Sequence, residues 1–179
     1  MKSKKLQNYI EYYSFRALIG LLRAIPYKVA VAYVSFLFYL IGYLIGVRKK
    51  VAKAQLKKVY PTKSKKEIER ILRELYRQMA LNICEVYLMD DKTLNESSRL
   101  EGQEYVDAAF AMGKGIILAT AHYGNWEAAR ILPLKGIAVS VITKRQRNIL
   151  FDDYTNMIRE RNTVRTIDMR RGLRILCGI

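Results

Sequence analysis

Histidine, cysteine and acidic residues are scarce in this sequence. Of its 179 residues one is His and two are Cys, and 32 Lys and Arg stand against 16 Asp and Glu. Neither Cys84 nor Cys177 has metal-ligand spacing or a redox motif around it. This argues against a metal centre and against thiol chemistry, and it favours two reduced, partly buried thiols. The net charge of +16 instead indicates an anionic partner.

Acidic residues are scarcest near the N-terminus. Residues 1–60 contain 12 basic side chains and one acid, Glu11, whereas residues 61–179 contain 20 and 15, so the net charges are +11 and +5. Most of the excess charge therefore surrounds the most apolar part of the chain, which fits an anionic membrane surface. Because the aromatic–basic signature of RNA-binding modules is absent, no nucleic-acid partner is expected. Residues 1–60 are assigned to a basic N-terminal region and residues 61–179 to an α/β domain.

Residues 29–47 form a run of 19 residues without a charge. A helix of about 20 apolar residues crosses the hydrocarbon core, so we predict a single membrane span. The alternatives are a helix lying in the interface, a helical hairpin with residues 18–25 and a bend at Pro26, and a core helix of a soluble protein. A signal peptide is a poor fit because no small-residue cleavage site follows. The dense basic cluster of residues 48–58 predicts that the following chain is cytoplasmic.

The remainder of the chain predicts an α/β fold. Ser64 and Glu67 form a capping-box pattern that begins a long helix ending near residues 90–91. Its apolar stripe comprises Ile68, Ile71, Leu72, Leu75, Met79, Ile83, Val86 and Tyr87. A short helix over residues 101–112 and a glycine turn at 113–115 lead into an apolar run, 116–121, typical of a strand buried in a parallel sheet.

A βαβ unit is predicted next. A helix begins at Trp126 and is broken at residues 135–136, and residues 137–142 form a second strand. A helix over 152–161 and a strand over 164–167 continue the alternation. The predicted fold class is therefore α/β: an N-terminal membrane-anchoring helix followed by an αβα domain with a mostly parallel sheet.

The single histidine, His122, falls at the carboxyl end of the first predicted strand, where ligands collect in parallel sheets. Glu127 lies in the first turn of the next helix, from where its carboxylate could accept Nδ1–H and leave Nε2 free to take a proton. Residues 122–127 contain no Ser, Thr or Cys. The base would therefore activate a hydroxyl of the substrate and form no acyl-enzyme. The alternative is structural: His122 caps the helix, and Glu127 interacts with its positive end.

Residues 122–127 read His-Tyr-Gly-Asn-Trp-Glu. This segment resembles the His-Phe-Gly-Asn-Trp-Glu signature of the bacterial lipid A biosynthesis lauroyl/myristoyl acyltransferases, in the His-x4-Asp/Glu acyltransferase superfamily, with Tyr123 in place of Phe. The resemblance runs from about residue 10 to the end. Further matching stretches are residues 48–61, 101–105, 113–115, 147–148 and 157–161.

The resemblance implies transfer of a fatty acyl chain from an acyl carrier protein thioester to a hydroxyl of a lipid A precursor at the bacterial inner membrane. His122 would be the general base and Glu127 its orienting partner, with no cofactor and no metal. Arg159 is expected to contact the substrate phosphate or the thioester region, with Arg161 as the near alternative. Asn125 and Trp126 would shape the substrate site, unless Trp126 simply belongs to the core and the two arginines to a solvated helix face.

Members of this family extend beyond the last residue of this chain. We therefore expect a C-terminally truncated member, with residues 61–179 as the N-terminal part of the catalytic domain. Two alternatives remain open: an acyltransferase acting on another glycolipid or glycerolipid, and an inactive truncated relative that only binds membranes.

Overall fold

The computed structural model describes residues 2–170, with side chains from residue 4 onward. The chain divides into two compact units, Met1–Met89 and Asp90–Ile179. The division falls inside the segment 61–179 that the sequence assigned to one domain, because the long helix at its start packs on the apolar N-terminal helix. The assignment of a catalytic domain to residues 61–179 stays a prediction. Cys177 lies outside the described residues.

The first unit is helical. It contains α1 (Lys2–Arg23), α2 (Tyr27–Phe38) with a π-helical continuation (Tyr39–Leu44), α3 (Lys49–Val59) and α4 (Lys65–Tyr87). Pro26 separates α1 from α2, as expected for a residue that has no backbone N–H and tolerates only the first turn of a helix. Gly46 and Arg48, both with positive φ, turn the chain into α3.

The predicted helix start at Ser64 is confirmed. The backbone N–H of Ser64 donates to Glu67 Oε2 at 2.9 Å, and the backbone N–H of Glu67 donates to Ser64 Oγ at 3.3 Å, which completes a capping box. The Ser64 hydroxyl, which donates to Glu67 Oε2 at 2.8 Å, and the Ser64 backbone N–H hold the pKa of the Glu67 carboxyl below its ordinary value. The long amphipathic helix that follows is therefore specified locally at its first turn.

The buried line of α4 differs from the predicted stripe. The buried residues are Ile68, Leu72, Tyr76, Ala80 and Cys84, spaced four apart, whereas Leu75 and Met79 are exposed. The shift has a packing reason: Ala80 and Cys84 are small and share a core cluster with Leu22, Ala30 and Val34, so a ridge of residues four apart fits against α2. The prediction that Cys84 is a buried thiol is confirmed, and burial raises its pKa to about 11.

Up to residue 170, where its described part ends, the second unit contains four helices and two strands. They are α5 (Asp91–Ser97), α6 (Gln103–Ala111), a 3-10 helix (Trp126–Lys135), β1 (Ser140–Thr143), α7 (Ile149–Glu160) and β2 (Arg165–Asp168). The strands pair in parallel from Ser140↔Arg165 to Thr143↔Asp168, so β1, α7 and β2 form a βαβ unit. The parallel pairing predicted for the last two strands of the chain is therefore present.

The predicted strand over residues 116–121 is wrong for the described chain. These residues are irregular and exposed, and Ile117 is 92 % exposed. A parallel strand obtains its backbone hydrogen bonds and its cover from neighbouring elements, and the sheet that the described residues form contains only β1 and β2. The first predicted βαβ unit is accordingly absent from residues 2–170. The described residues are mostly helical, with one small parallel sheet of β1 and β2.

We predict that the missing side chain at Gly42 allows the π-helical continuation of α2 to pack closely on α4. A Cβ at Gly42 would clash with the ring of Tyr76, so Gly42→Ala should lower the free energy of unfolding by about 1–3 kcal/mol. Gly20→Ala is the matched control, because a Cβ there meets nothing within 4 Å, and alanine should raise helix stability by up to about 1 kcal/mol. Chemical denaturation of the detergent-solubilised protein measures both. Equal effects at the two glycines would contradict the close packing.

Candidate active site

The 3-10 helix Trp126–Lys135 begins four residues after His122, and its first turn is partly buried. Asn125 precedes the 3-10 helix with an extended backbone and makes no side-chain capping bond to it. The helix contains Pro133, which removes a backbone donor. Glu127, Arg130 and Ile131 are its buried residues. The predicted helix is therefore present, although as a 3-10 helix.

Glu127 is paired with an arginine that lies 32 residues further along the chain. Arg159 Nε donates to Glu127 Oε2 at 2.8 Å, and Arg159 Nη2 forms a second, very short contact with Oε1. The two side chains are only 16 % and 10 % exposed. Arg159 Nη1 also donates to Asn156 Oδ1 at 3.1 Å. The pair is thus bidentate and largely withdrawn from water, which is the strong geometry for an arginine–carboxylate interaction.

His122 is exposed and lies against Trp126. The two ring centroids are 4.7 Å apart with an interplanar angle of 49°, and Trp126 is itself half exposed, so it does not serve as a core residue. Among the described residues, the carboxylate of Glu127 accepts hydrogen bonds from Arg159 and none is observed from His122. The structure therefore brings together two pairs, His122 with Trp126 and Glu127 with Arg159.

The remaining predicted residue, Arg161, lies apart from these pairs. It caps the C-terminal end of α7 and is exposed. Its neighbour on the same helix, Arg159, faces inward because Thr155 and Ile158 place that side of α7 in the core. Of the two arginines, only Arg159 contributes to the buried cluster.

Two residues of the site escaped sequence reasoning. Asn156 lies three positions before Arg159 on α7, a spacing at which helical side chains meet, so it could have been found. Arg130 is 2 % exposed, and its Nε donates to Asp91 Oδ1 at 2.7 Å. That contact joins residues 39 apart, and nothing local in the sequence points to it. Arg130 thereby anchors the 3-10 helix to the start of α5.

Side-chain hydrogen bonds also fix the start of α7, the helix that carries Arg159. Asn148 Oδ1 accepts the backbone N–H of Leu150 at 3.2 Å and caps α7. Asp152 Oδ1 accepts the backbone N–H of Gln146 at 3.0 Å. These bonds fix the loop between β1 and α7, and they thus orient the helix that presents Arg159.

The site combines an exposed imidazole, that of His122, with a carboxylate that is paired with a guanidinium. A carboxylate has about four lone-pair sites, so Glu127 can accept a further donor while it binds Arg159. Within residues 2–170 no group of three or more His, Cys, Asp and Glu side chains could bind a metal ion. An imidazole and a carboxylate paired with a guanidinium offer proton transfer and charge stabilisation.

We predict that the Glu127–Arg159 pair acts as one unit in stability. Glu127→Ala or Arg159→Ala alone should cost about 3–5 kcal/mol, because each leaves an uncompensated buried charge. The double variant should cost clearly less than the sum of the two. Arg161→Ala is the exposed control on the same helix and should change stability by no more than about 0.5 kcal/mol. Urea unfolding measures the cycle, and simple additivity of the two substitutions would rule the coupling out.

Comparison with known proteins agrees with the signature at residues 122–127. A search of curated proteins and a search of solved structures each found no match. The family model described as bacterial lipid A biosynthesis acyltransferase matches residues 1–179. The chain therefore belongs to the bacterial lipid A biosynthesis acyltransferase family.

Proposed function

We propose that the protein transfers a fatty acyl chain from an acyl carrier protein thioester to a hydroxyl of a lipid A precursor, with His122 as general base. The observation that carries the proposal is the pairing of Glu127 with Arg159 five residues after an exposed histidine, within the family signature. The guanidinium of Arg159 binds the Glu127 carboxylate in the first turn of the helix that follows the segment bearing the base. Such a carboxylate is what orients a catalytic imidazole.

The reaction then follows from two proton transfers. In the reactive arrangement, Nδ1–H of His122 donates to Glu127, and Nε2 takes the proton of the acceptor hydroxyl as its oxygen attacks the thioester carbonyl carbon. The new C–O bond forms an ester when the C–S bond breaks. The imidazolium returns the proton to the departing thiolate, so the base is restored without an acyl-enzyme.

The proposed substrate contacts differ between the two arginines. Arg159 is engaged by Glu127 and Asn156, so its role is to position the carboxylate. Arg161 is exposed and is the better candidate for binding a substrate phosphate. Trp126 is half exposed, and its ring is tilted against that of His122. Together with Asn125 it would shape the acceptor side of the site.

The proposed partners agree with the charge of the chain. Acyl carrier protein is acidic and lipid A precursors carry phosphates, so a protein with a net charge of +16 suits both. The 18-residue segment Tyr27–Leu44 is long and apolar enough to cross a membrane, and only 17 % of it is buried, which supports a location at the membrane. We propose the inner membrane, with the catalytic residues on its cytoplasmic side. The alternatives are another glycolipid or glycerolipid acceptor and a membrane-binding relative without activity.

We expect His122→Ala to lower the rate of acyl transfer by about 10²–10⁴-fold, the usual contribution of a positioned general base. The assay uses the purified protein, an acyl carrier protein thioester and a lipid A precursor. Lys92→Ala, at an 84 % exposed side chain, should keep the full rate. An unchanged rate in His122→Ala would refute the role of the base. Turnover only with a glycerolipid or another glycolipid would change the acceptor, and no turnover with any acceptor would favour the membrane-binding alternative.

The basic cluster in α3 should contribute to membrane affinity. Lys57 and Lys58 are exposed, and each Lys near an anionic surface is worth about 1 kcal/mol. Lys57→Gln combined with Lys58→Gln should therefore weaken binding to anionic vesicles by about thirtyfold, and the loss should shrink as salt is added. Lys92→Gln with Lys114→Gln is the control pair of exposed lysines in the second unit. Vesicle co-sedimentation measures both pairs, and an equal loss would show that only total charge matters.

A further inference from the structure

A groove of about 890 Å³ in the first unit is lined by residues of the apolar segment Tyr27–Leu44, of α3 and of α4. Its volume lies in the range of about 300–1,000 Å³ that is usual for ligand pockets. The apolar part of its lining comprises Phe36, Tyr39, Leu56, Ile71 and Leu75. Because Phe36, Tyr39 and Leu75 are exposed, the groove leaves apolar surface in contact with its surroundings.

The charged part of the lining comes from α4 and comprises Arg70, Arg73, Glu74 and Arg77, all of them exposed. Three arginines against one glutamate give the groove a net charge of +2. Arg77 engages Glu74, since its Nη2 donates to Oε1 at 2.7 Å and its Nε to Oε2 at 2.9 Å. Within residues 2–170, neither Arg70 nor Arg73 forms an ion pair with a carboxylate. These two guanidinium groups therefore carry the surplus charge.

Arg73 lies at the C-terminal end of the apolar segment. Its Nη1 donates to the hydroxyl of Tyr43 at 3.2 Å, and that hydroxyl donates to Glu69 Oε2 at 3.1 Å. Glu69 also pairs with Lys53, while Lys49 Nζ lies 3.8 Å from the centroid of the Tyr43 ring. The end of an apolar membrane segment lies at the level of the lipid head groups, where basic side chains meet phosphates.

An anionic phospholipid has the two chemical parts that this groove can cover. A guanidinium presents five N–H donors in a fork that matches phosphate oxygens, so Arg73 keeps donors for a phosphate while it binds Tyr43. The apolar lining can cover an acyl chain and remove it from water. A zwitterionic lipid supplies its own cation to the phosphate, and a free phosphate leaves the apolar lining uncovered. Charge and lining together therefore favour an anionic amphiphile.

We infer that the groove binds one anionic phospholipid of the membrane, whose phosphate contacts Arg70 and Arg73 and whose acyl chain lies along the apolar lining. The inference rests on the membrane association proposed above and not on the acyl-transfer reaction. It applies equally to a segment that spans the bilayer and to one that lies along its surface. A lipid bound there contacts the apolar segment, α3 and α4 at once.

Native mass spectrometry of the detergent-solubilised full chain tests the inference, because it counts bound lipids individually. The probes are dioleoyl phosphatidylglycerol, which is anionic, and dioleoyl phosphatidylcholine, which is zwitterionic. We expect one phosphatidylglycerol per chain to be bound in preference to phosphatidylcholine. Inorganic phosphate is the second source of the same anion, and at equal concentration it should not displace phosphatidylglycerol.

Arg70→Gln combined with Arg73→Gln should weaken phosphatidylglycerol binding by about thirtyfold, the worth of two charges beside an anionic head group. It should also remove the preference over phosphatidylcholine. Lys4→Gln with Lys5→Gln is the matched control, because it removes the same charge from two exposed lysines of α1 that do not line the groove. This pair should keep the affinity. Circular dichroism checks that each variant retains its helices.

Leu75→Gln tests the contact with the acyl chain. Leu75 lines the groove and is 38 % exposed, so a polar side chain there should weaken phosphatidylglycerol binding by about two- to fivefold. Leu21→Gln is the control on α1, since Leu21 is 70 % exposed and lies outside the groove lining. It should leave the affinity unchanged.

The outcomes separate this inference from the proposed function. Equal losses in the two charge pairs overturn the inference, because total charge would then explain the binding. Equal binding of the two phospholipids, displacement by inorganic phosphate, or a dimer that excludes the lipid overturns it as well. The assay contains no acyl donor, so a failure of acyl transfer does not affect its result. Wild-type protein that sediments with anionic vesicles but binds no phosphatidylglycerol in detergent contradicts the groove alone.

Discussion

Placing the carboxylate of Glu127 in a largely buried position requires a cation beside it, and much of the second unit is organised around that requirement. A lone buried carboxylate would be far too costly, so Arg159 must reach it from α7. For α7 to present Arg159, its start has to be fixed, and Asn148 and Asp152 do so by binding backbone N–H groups. A second buried arginine, Arg130, fastens the 3-10 helix to α5 through Asp91. Charge pairing therefore positions this site more than apolar packing does.

A different constraint governs the first unit. An apolar helix needs an apolar surface to pack against, and α4 provides one. Its small residues Ala80 and Cys84 pack against α2, and the ring of Tyr76 lies against Gly42. Tyr76 also donates to the carbonyl of Val47 at 3.0 Å, so the same side chain secures the end of the apolar segment. The far side of α4 remains charged. The first unit consequently presents both apolar and charged residues on its surface.

Local features were predictable and distant ones were not. The capping box at Ser64 and the glycine turn after α6 depend on neighbours within a few residues, so the sequence pattern suffices for them. The helix that carries Arg159 was also predicted. By contrast, the pairing of Arg159 with Glu127 joins residues 32 apart, and no local pattern encodes such a partner. The apolar run 116–121 shows the same limit of local patterns. Its composition is that of a strand, but whether it forms one depends on neighbouring elements.

The sequence alone determined that this chain carries the segment His-Tyr-Gly-Asn-Trp-Glu, which resembles a family signature with Tyr123 in place of Phe. It likewise determined an amphipathic α4, an uncharged 19-residue run and a basic N-terminal region. These properties depend on composition and on spacings of a few residues. Tertiary structure alone decided that Glu127 faces Arg159, that Trp126 lies against His122 and that Ala80 and Cys84 of α4 share a core cluster with Ala30 and Val34 of the apolar run. The physical reason is that burial of a charge and cover of an apolar face depend on which distant segments meet, and periodicity along one segment carries no information about the other.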